Sequence, residues 1–209
     1  MTERVRLLLA TRSPGKVREL REILAAWPAV ELEGLDAAGF PESAEEDALE
    51  AFATFEENAL AKARWFAGRT GRLTLAEDSG ICVDALGGAP GVHSRRFAPD
   101  APERGVAQDQ ANNALLLERL AGIPEAGRTA RYVCAAALAW PDGREAVFRG
   151  ECEGVVLTAP RGTGGFGYDP LFYLPEEKRT FGELPAERKN EVSHRGKAVR
   201  QAVRALARG

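Results

Sequence analysis

Val5–Ala10 is a short apolar run that stops at Thr11-Arg12-Ser13-Pro14-Gly15-Lys16, and an amphipathic stripe begins directly after it. Ser13 is a good helix N-cap, and Pro14 suits the first helical position, where no N–H is needed. Val17, Leu20, Ile23, Leu24 and Trp27 then recur at helical spacing. Strand, tight loop and helix in that order commit the start of the chain to an α/β layer. Lys16 falls in the first helical turn, where backbone N–H groups, hydroxyls and a lysine together can hold phosphate. The loop is not a P-loop, because the G-x-x-x-x-G-K-[ST] spacing is absent. A capped helix that only packs on a sheet accounts for it equally well.

The alternation continues. A short strand is expected around 30–35, and a second helix over 47–67, with Phe52, Phe55, Ala59, Ala63 and Phe66 on one face and Gly68 as its stop. A strand at 73–77 leads into an irregular glycine-rich loop over 80–100. A helix follows over 103–120, with Ala107, Ala111, Ala114, Leu115 and Leu117 as its apolar surface. Residues 129–140 and 145–157 read as a hairpin turning at Pro141-Asp142-Gly143. The last helix begins after Ser193 and buries Ala198, Val199, Ala202, Val203 and Leu206, with Lys197, Arg200 and Arg204 off that stripe.

Three segments carry chemistry. Leu73–Ala76 is an apolar strand that ends in Glu77, Asp78, Ser79 and Gly80, and ligands of α/β sheets gather beyond the carboxyl ends of strands. Neighbours on an extended segment point to opposite sides, so Glu77 and Asp78 need not both face a ligand. An ordinary acidic turn is the competing account. Gly162–Phe172 reads GTGGFGYDPLF, a glycine loop ending in stackable rings and a carboxylate. Ser193–Lys197 places His194 and Arg195 in a first helical turn, where exposed N–H groups favour an anion. Rings beside cations suggest a nucleotide, although Phe166, Tyr168 and Phe172 taken singly are more readily core residues. Gly162, Gly164 and Gly167 match G-x-G-x-x-G, but the loop comes late and runs into Tyr168-Asp169-Pro170, which resists helix continuation, so a Rossmann site is rejected.

Composition sets outer limits. The chain has 209 residues, 44% hydrophobic and 28% charged, enough for one large domain or two intimate lobes. No apolar run approaches the ~18 residues of a membrane span. Three cysteines without C-x-x-C spacing fit reduced thiols in a cytoplasm. Only His93 and His194 are present, which disfavours zinc and leaves a hard cation on carboxylates, Mg²⁺ or Mn²⁺. A net charge of −3 argues against a nucleic-acid polymer as partner. Charge is uneven, however: residues 42–57 are acidic and residues 188–208 basic. The two runs read either as metal and triphosphate walls or as solvated helix faces.

TRSPGK, FEENALAKA (55–63), AEDSG (76–80), GGAPGVHSRRFA (87–98), GTGGFGYDPLF and SHRGKA (193–198) occur in the order seen in the inosine/xanthosine triphosphate pyrophosphatases, which the chain resembles over nearly its whole length. The resemblance implies a single domain over 1–209 with an elongated two-lobed α/β fold, a central mixed sheet flanked by helices, and a ligand cleft between the lobes. It implies a Mg²⁺-dependent homodimer that hydrolyses the α–β phosphoanhydride of non-standard purine nucleoside triphosphates. Asp78 would be the catalytic carboxylate, with Asp78 and Glu50 as metal carboxylates. Thr11, Arg12, Ser13, Pro14, Gly15, Lys16 and Lys62 would contact the triphosphate, and Ser79 the substrate. Phe166, Gly167, Tyr168 and Asp169 would hold base and ribose, and Lys189, His194 and Arg195 would complete recognition. Ser13 stands where the family commonly has asparagine, and Arg12 replaces a usual small residue. Two rivals are a septum-formation-inhibitor-type nucleotide pyrophosphatase, which lacks the GGFGYDP and SHRGKA pair, and a non-catalytic nucleotide sensor.

Overall fold

A computed structural model describes residues 4–99, 101 and 105–206. In chain order the elements are β1 (Val5–Leu9), α1 (Pro14–Leu24), β2 (Val30–Gly34), a 3-10 segment Ala44–Glu50, α2 (Phe55–Thr70), β3 (Thr74–Val83), α3 (Val106–Arg119), β4 (Thr129–Ala139), β5 (Glu145–Val156), β6 (Phe172–Leu174), β7 (Arg179–Thr180), α4 (Ala186–Val192) and α5 (His194–Leu206). The strands follow the order β2-β1-β3-β4-β5-β6-β7. β1 runs parallel to β2 and β3, whereas β6 is antiparallel to β5 and β7, so the sheet is mixed as expected. The chain divides into two compact units. The first comprises Met1–Asp78, Cys134–Gly150 and His194–Gly209; the second comprises Ser79–Val133 and Glu151–Ser193.

In the first unit, alternation along β1 turns Leu7 and Leu9 to one face, where they pack with Leu75 of β3 and Ala136 and Leu138 of β4. α1 covers them with Leu20, Ile23 and Leu24, and α5 with Ala198, Val199, Ala202 and Val203. Each large side chain so buried contributes about 1.5–3 kcal/mol. α5 lies directly on β5 at Gly150, where a Cβ would come within 2.2 Å of the His194 carbonyl oxygen and 2.6 Å of the Ala198 nitrogen. Only glycine permits that approach.

Several boundaries differ from the sequence reading. α1 ends at Leu24, and Trp27 lies in the turn beyond it, packed against the core. α2 starts at Phe55 rather than 47, because Thr54 caps it by accepting from the Glu57 N–H and residues 44–50 form their own 3-10 turns. It passes through Gly68 and stops at Gly71, whose φ of 64° is the left-handed C-cap. Phe52 therefore precedes the helix and is 45% exposed, not part of its buried face.

The second unit is built on an aromatic cluster. The Tyr132 ring lies 4.8 Å from that of Phe172 and 5.7 Å from that of Phe181, centroid to centroid. Ile81, Leu116, Leu120, Tyr168 and Leu171 join them in the core. β3 runs on to Val83, which shortens the loop expected from residue 80. α3 buries Gln108, Asn112 and Leu116 rather than the alanine-rich stripe, and Ala107 and Ala114 are exposed. Residues 103 and 104 of the expected helix lie outside the described residues. β6, β7 and α4 were not anticipated. Asn and Gln on the inner face of α3 defeat a reading that counts only apolar positions, and two- or three-residue strands carry no periodic signal.

Candidate active site

The first unit gathers charge at the middle of β3, because the strand expected to end at Glu77 runs on through Asp78 to Val83. Glu77 and Asp78 are both buried and face different partners, as neighbours on an extended segment should. Glu77 meets Lys16 Nζ at 2.7 Å and Arg195 at 3.6 Å, and accepts from the Cys134 thiol at 3.4 Å. Burial alone would raise the Glu77 pKa, but Lys16, Arg195 and Lys62 outweigh it and hold the carboxyl far below its ordinary range. Arg195, itself buried, also pairs directly with Glu19 on α1. Burial and its charge coupling to Glu77 push the Cys134 thiol well up, so it stays protonated.

Asp78 belongs to a second, adjoining set. Asn58 Nδ2 donates to its Oδ2 at 3.0 Å, and Lys62 Nζ lies 3.7 Å from its Oδ1. Lys62 Nζ also donates to Glu50 Oε1 at 2.8 Å and to the Glu77 carbonyl at 2.7 Å. Three oxygens, of Asp78, Glu50 and the Glu77 carbonyl, are thus tied together by one ammonium. Burial works to discharge Lys62, yet Asp78, Glu50 and Glu77 together raise its pKa. For Asp78 the balance tips the other way: burial outweighs Lys62 and Lys16, and its pKa is raised.

The loop before α1 stands beside this cluster through Lys16. The Ser13 N–H donates to Thr11 Oγ1 at 3.3 Å, and Ser13 Oγ accepts from the Lys16 N–H at 3.4 Å, with Pro14 and Gly15 opening the helix. Arg12 is turned to carboxylates, donating to Glu46 at 2.8 and 3.1 Å and to Asp36 at 3.0 Å. His194 and Arg195 open α5 as expected, but both are buried.

The second unit presents a different set. Ser79 begins it and is half-buried. Phe166 is half-buried, Tyr168 and Asp169 are buried, and the Tyr168 hydroxyl donates to the Ser94 carbonyl at 2.8 Å. Burial and the Asp109 charge raise the Tyr168 pKa, so the hydroxyl remains a donor. Asp169 Oδ2 accepts from the Phe166 N–H at 2.8 Å and pairs with Lys189 Nζ, which lies 5.2 Å from the Phe166 ring centroid. The loop Phe166–Asp169 is therefore fixed from within, with a ring, a carboxylate and an ammonium side by side.

The charge runs seen in the sequence are largely spent on internal pairs. Glu46 pairs with Arg12, Glu45 with Arg69, Glu50 with Lys62 and Glu56 with Arg149. Arg188 pairs with Glu177 and Glu191. The Asp47 side chain and Arg208 lie outside the described residues. Among the described residues no three His, Cys, Asp or Glu side chains converge on a metal position, so an all-protein cage is absent there. Asp78 and Glu50 offer oxygen alone, the donor type that suits a hard cation completing its shell with water and phosphate. Sequence reasoning missed Glu19, Asn58, Asp109 and Asn113. Glu19 flanks Leu20 in the α1 stripe and meets a partner 176 positions away, a pairing that carries no local signal.

A family model of the Ham1 family matches residues 7–205. A dITP/XTP pyrophosphatase of Desulforamulus reducens is 50% identical over 204 residues, 98% of this chain and 96% of that protein. One from Thermus thermophilus is 46% identical over 211 residues, covering 100% of this chain and 95% of the relative. Among solved structures, a HAM1 protein from Coxiella burnetii superposes with a TM-score of 0.82 at 34% identity, covering 98% of this chain and all of the other. No helix among the described residues is long and apolar enough to cross a membrane. With the matching mixed sheet, the family model and relatives half identical over nearly their full lengths, the chain belongs to the Ham1 family.

Proposed function

We propose that this chain hydrolyses dITP, ITP, XTP and dXTP at the α–β phosphoanhydride, releasing the nucleoside monophosphate and pyrophosphate and so clearing deaminated purines from the nucleotide pool. The observation that carries this is the set around Asp78 in the middle of β3, where Lys62 lies on both Asp78 and Glu50 with Lys16 close by. Carboxylates for a metal stand there beside ammonium groups for the phosphate oxygens, the arrangement that suits a metal-bound polyphosphate. Curated relatives with this fold are named dITP/XTP pyrophosphatases, which supports the substrate class.

Asp78 is the reacting carboxylate of this reading. Burial raises its affinity for a proton, and Asn58 fixes one of its oxygens, so the other can accept a proton from the attacking water. Asp78 and Glu50 would hold Mg²⁺, with Mn²⁺ as a substitute. A bound Mg²⁺ supplies charge neutralisation for the phosphate oxygens and lowers the pKa of coordinated water. Lys16 and Lys62 supply fixed positive charge for the triphosphate, with the Thr11–Lys16 loop offering N–H groups at a helix start. Glu77 serves to hold Lys16 and Arg195 rather than to bind metal, since its carboxylate is buried between them.

The purine falls to the loop Phe166–Asp169 with Lys189. A 6-oxo group accepts hydrogen bonds, whereas the 6-amino group of adenine donates, and a donor in the site left unpaired against adenine costs about 1–3 kcal/mol. Three cysteines outside any disulfide support a reducing cytoplasm, and the homodimeric state is carried by the family resemblance. The test measures catalytic efficiency on ITP, XTP, GTP and ATP with Mg²⁺ and with chelator, quantifying pyrophosphate and orthophosphate separately. ATP should be at least about tenfold poorer than ITP. Equal efficiency on both would defeat the selectivity, and orthophosphate as the sole product would defeat the bond assignment.

A further inference from the structure

Asp109 and Asn113 stand one turn apart on α3, so their side chains share one face of that helix. Both reach the backbone of the same residue of the aromatic loop, one on each of the two peptide units that meet at Gly167. Asp109 Oδ2 accepts from the Gly167 N–H at 2.8 Å, and Asn113 Nδ2 donates to the Gly167 carbonyl at 3.0 Å. Gly167 has a φ of 61°, a conformation that side-chain-bearing residues rarely adopt, and its own two backbone groups are taken up by these two side chains. Gly167 separates Phe166, whose ring is half-buried, from Tyr168, whose ring is in the core and whose hydroxyl is anchored on Ser94. Rotation about the Gly167 backbone would therefore turn the Phe166–Gly167 peptide and swing Phe166 while Tyr168 stayed in place.

We propose that Asp109 and Asn113 are positioning residues that clamp the two peptides meeting at Gly167 and thereby set the plane and height of the Phe166 ring for the purine. This rests on the reading that the loop Phe166–Asp169 holds the base. The division of labour follows from hydrogen-bond chemistry. An amide N–H needs an acceptor and a carbonyl needs a donor, and a carboxylate and a carboxamide at a four-residue spacing supply one of each. Burial raises the Asp109 pKa and the bond from Gly167 lowers it, with burial the stronger. Neighbouring Asn112 plays a parallel part about 100° round the helix, accepting from the Ala98 N–H at 2.8 Å and donating to the Arg95 carbonyl at 3.0 Å. α3 is thus a rail from which two loops hang by side-chain amides and a carboxylate, which explains why its inner face is polar.

The test uses the full chain carrying Asp109→Ala, Asp109→Asn, Asn113→Leu or Asn113→Asp, with Phe166→Leu as the reference for a lost base contact. Steady-state kinetics on ITP with Mg²⁺ are compared with inhibition by inorganic tripolyphosphate, a probe that has no base. Asp109→Ala, Asn113→Leu and Asn113→Asp should each raise KM for ITP about tenfold, the worth of one hydrogen bond, with kcat and tripolyphosphate inhibition changed less than about threefold. Asp109→Asn keeps an acceptor oxygen and should stay within about twofold of wild type. If Phe166→Leu raises KM and the folded clamp variants do not, the clamp is overturned and the base-loop reading stands. If Phe166→Leu leaves KM unchanged, both fall. Equal weakening of ITP and tripolyphosphate by the clamp variants would reduce Asp109 and Asn113 to general structural supports and overturn the proposal.

Discussion

Replacing Glu77 by glutamine tests whether the charge cluster is held together by its innermost carboxylate. The Glu77 side chain has no solvent exposure; Lys16 retains 17% and Arg195 3%. Removing one member of a buried ion pair costs about 3–5 kcal/mol, mostly because the other charge is left uncompensated. Two features move the expectation to the lower end: Arg195 keeps Glu19, and Lys16 is open enough to gain water. The expected loss is about 3 kcal/mol, which for a chain of this size lowers Tm by about 6–12 °C. Glutamine matches glutamate in volume, so packing changes do not enter. The pH dependence adds a second readout. The folded Glu77 carboxyl titrates below its unfolded value. Its stabilisation is therefore complete above the ordinary glutamate range and is lost as pH falls through the lowered folded value. The gap between wild type and Glu77→Gln should be full at neutral pH and narrow on acidification below that range. Thermal unfolding followed by circular dichroism at a series of pH values measures both. A Tm within about 2 °C of wild type at neutral pH would refute the reasoning, and a gap that widened in acid would refute its sign.

Asp78→Asn should remove most pyrophosphate release while circular dichroism shows a folded chain, and near wild-type turnover would remove Asp78 from the mechanism. Ser13→Ala should cost ~0.5–1 kcal/mol in chemical denaturation, the low end for a cap because the bond to the Lys16 N–H is long, and should raise KM. Ser13→Asn should be tolerated in both assays. Gly150→Ala should destabilise by about 3 kcal/mol or more, since its Cβ has no space against the first turn of α5, and a neutral result would mean that α5 can lift from β5 without penalty.

What could be read beforehand was what periodicity and capping record. Pro14 at the start of α1, the hairpin of β4 and β5 and the α5 stripe each rest on short-range rules, and the structure places them within a few residues of expectation. Two of the errors share one physical cause. The start of α2 and the inner face of α3 are set by polar side chains, Thr54 at a cap and Gln108 and Asn112 inside, which an apolar pattern ignores. At the candidate site, Lys16, Lys62 and Asp78 were visible as residue types in the right strand and helix contexts. Their pairing was not: that Lys62 would lie on both Asp78 and Glu50, or that Arg195 would face Glu19, depends on how distant segments pack. Asn58 and Asn113 sit in helices among unremarkable polar neighbours, and only their hydrogen bonds reveal them.

The first unit is assembled from three separate stretches of chain, and the Arg195–Glu19 and Arg195–Glu77 pairs join the third stretch to the first. Synthesis delivers these partners in a fixed order. Glu19 and Glu77 leave the ribosome long before residue 194, at a pace of roughly 5–20 residues per second, so for several seconds the nascent half of the unit carries acidic groups whose guanidinium has not yet been made. During that interval Glu77 is not confined to a water-free position, and the sheet has no α5 to cover it. Completion of the charge cluster is therefore a late event in the life of each molecule, and a chain interrupted before residue 194 exposes the apolar face that α5 would have covered, a state quality-control proteases can recognise.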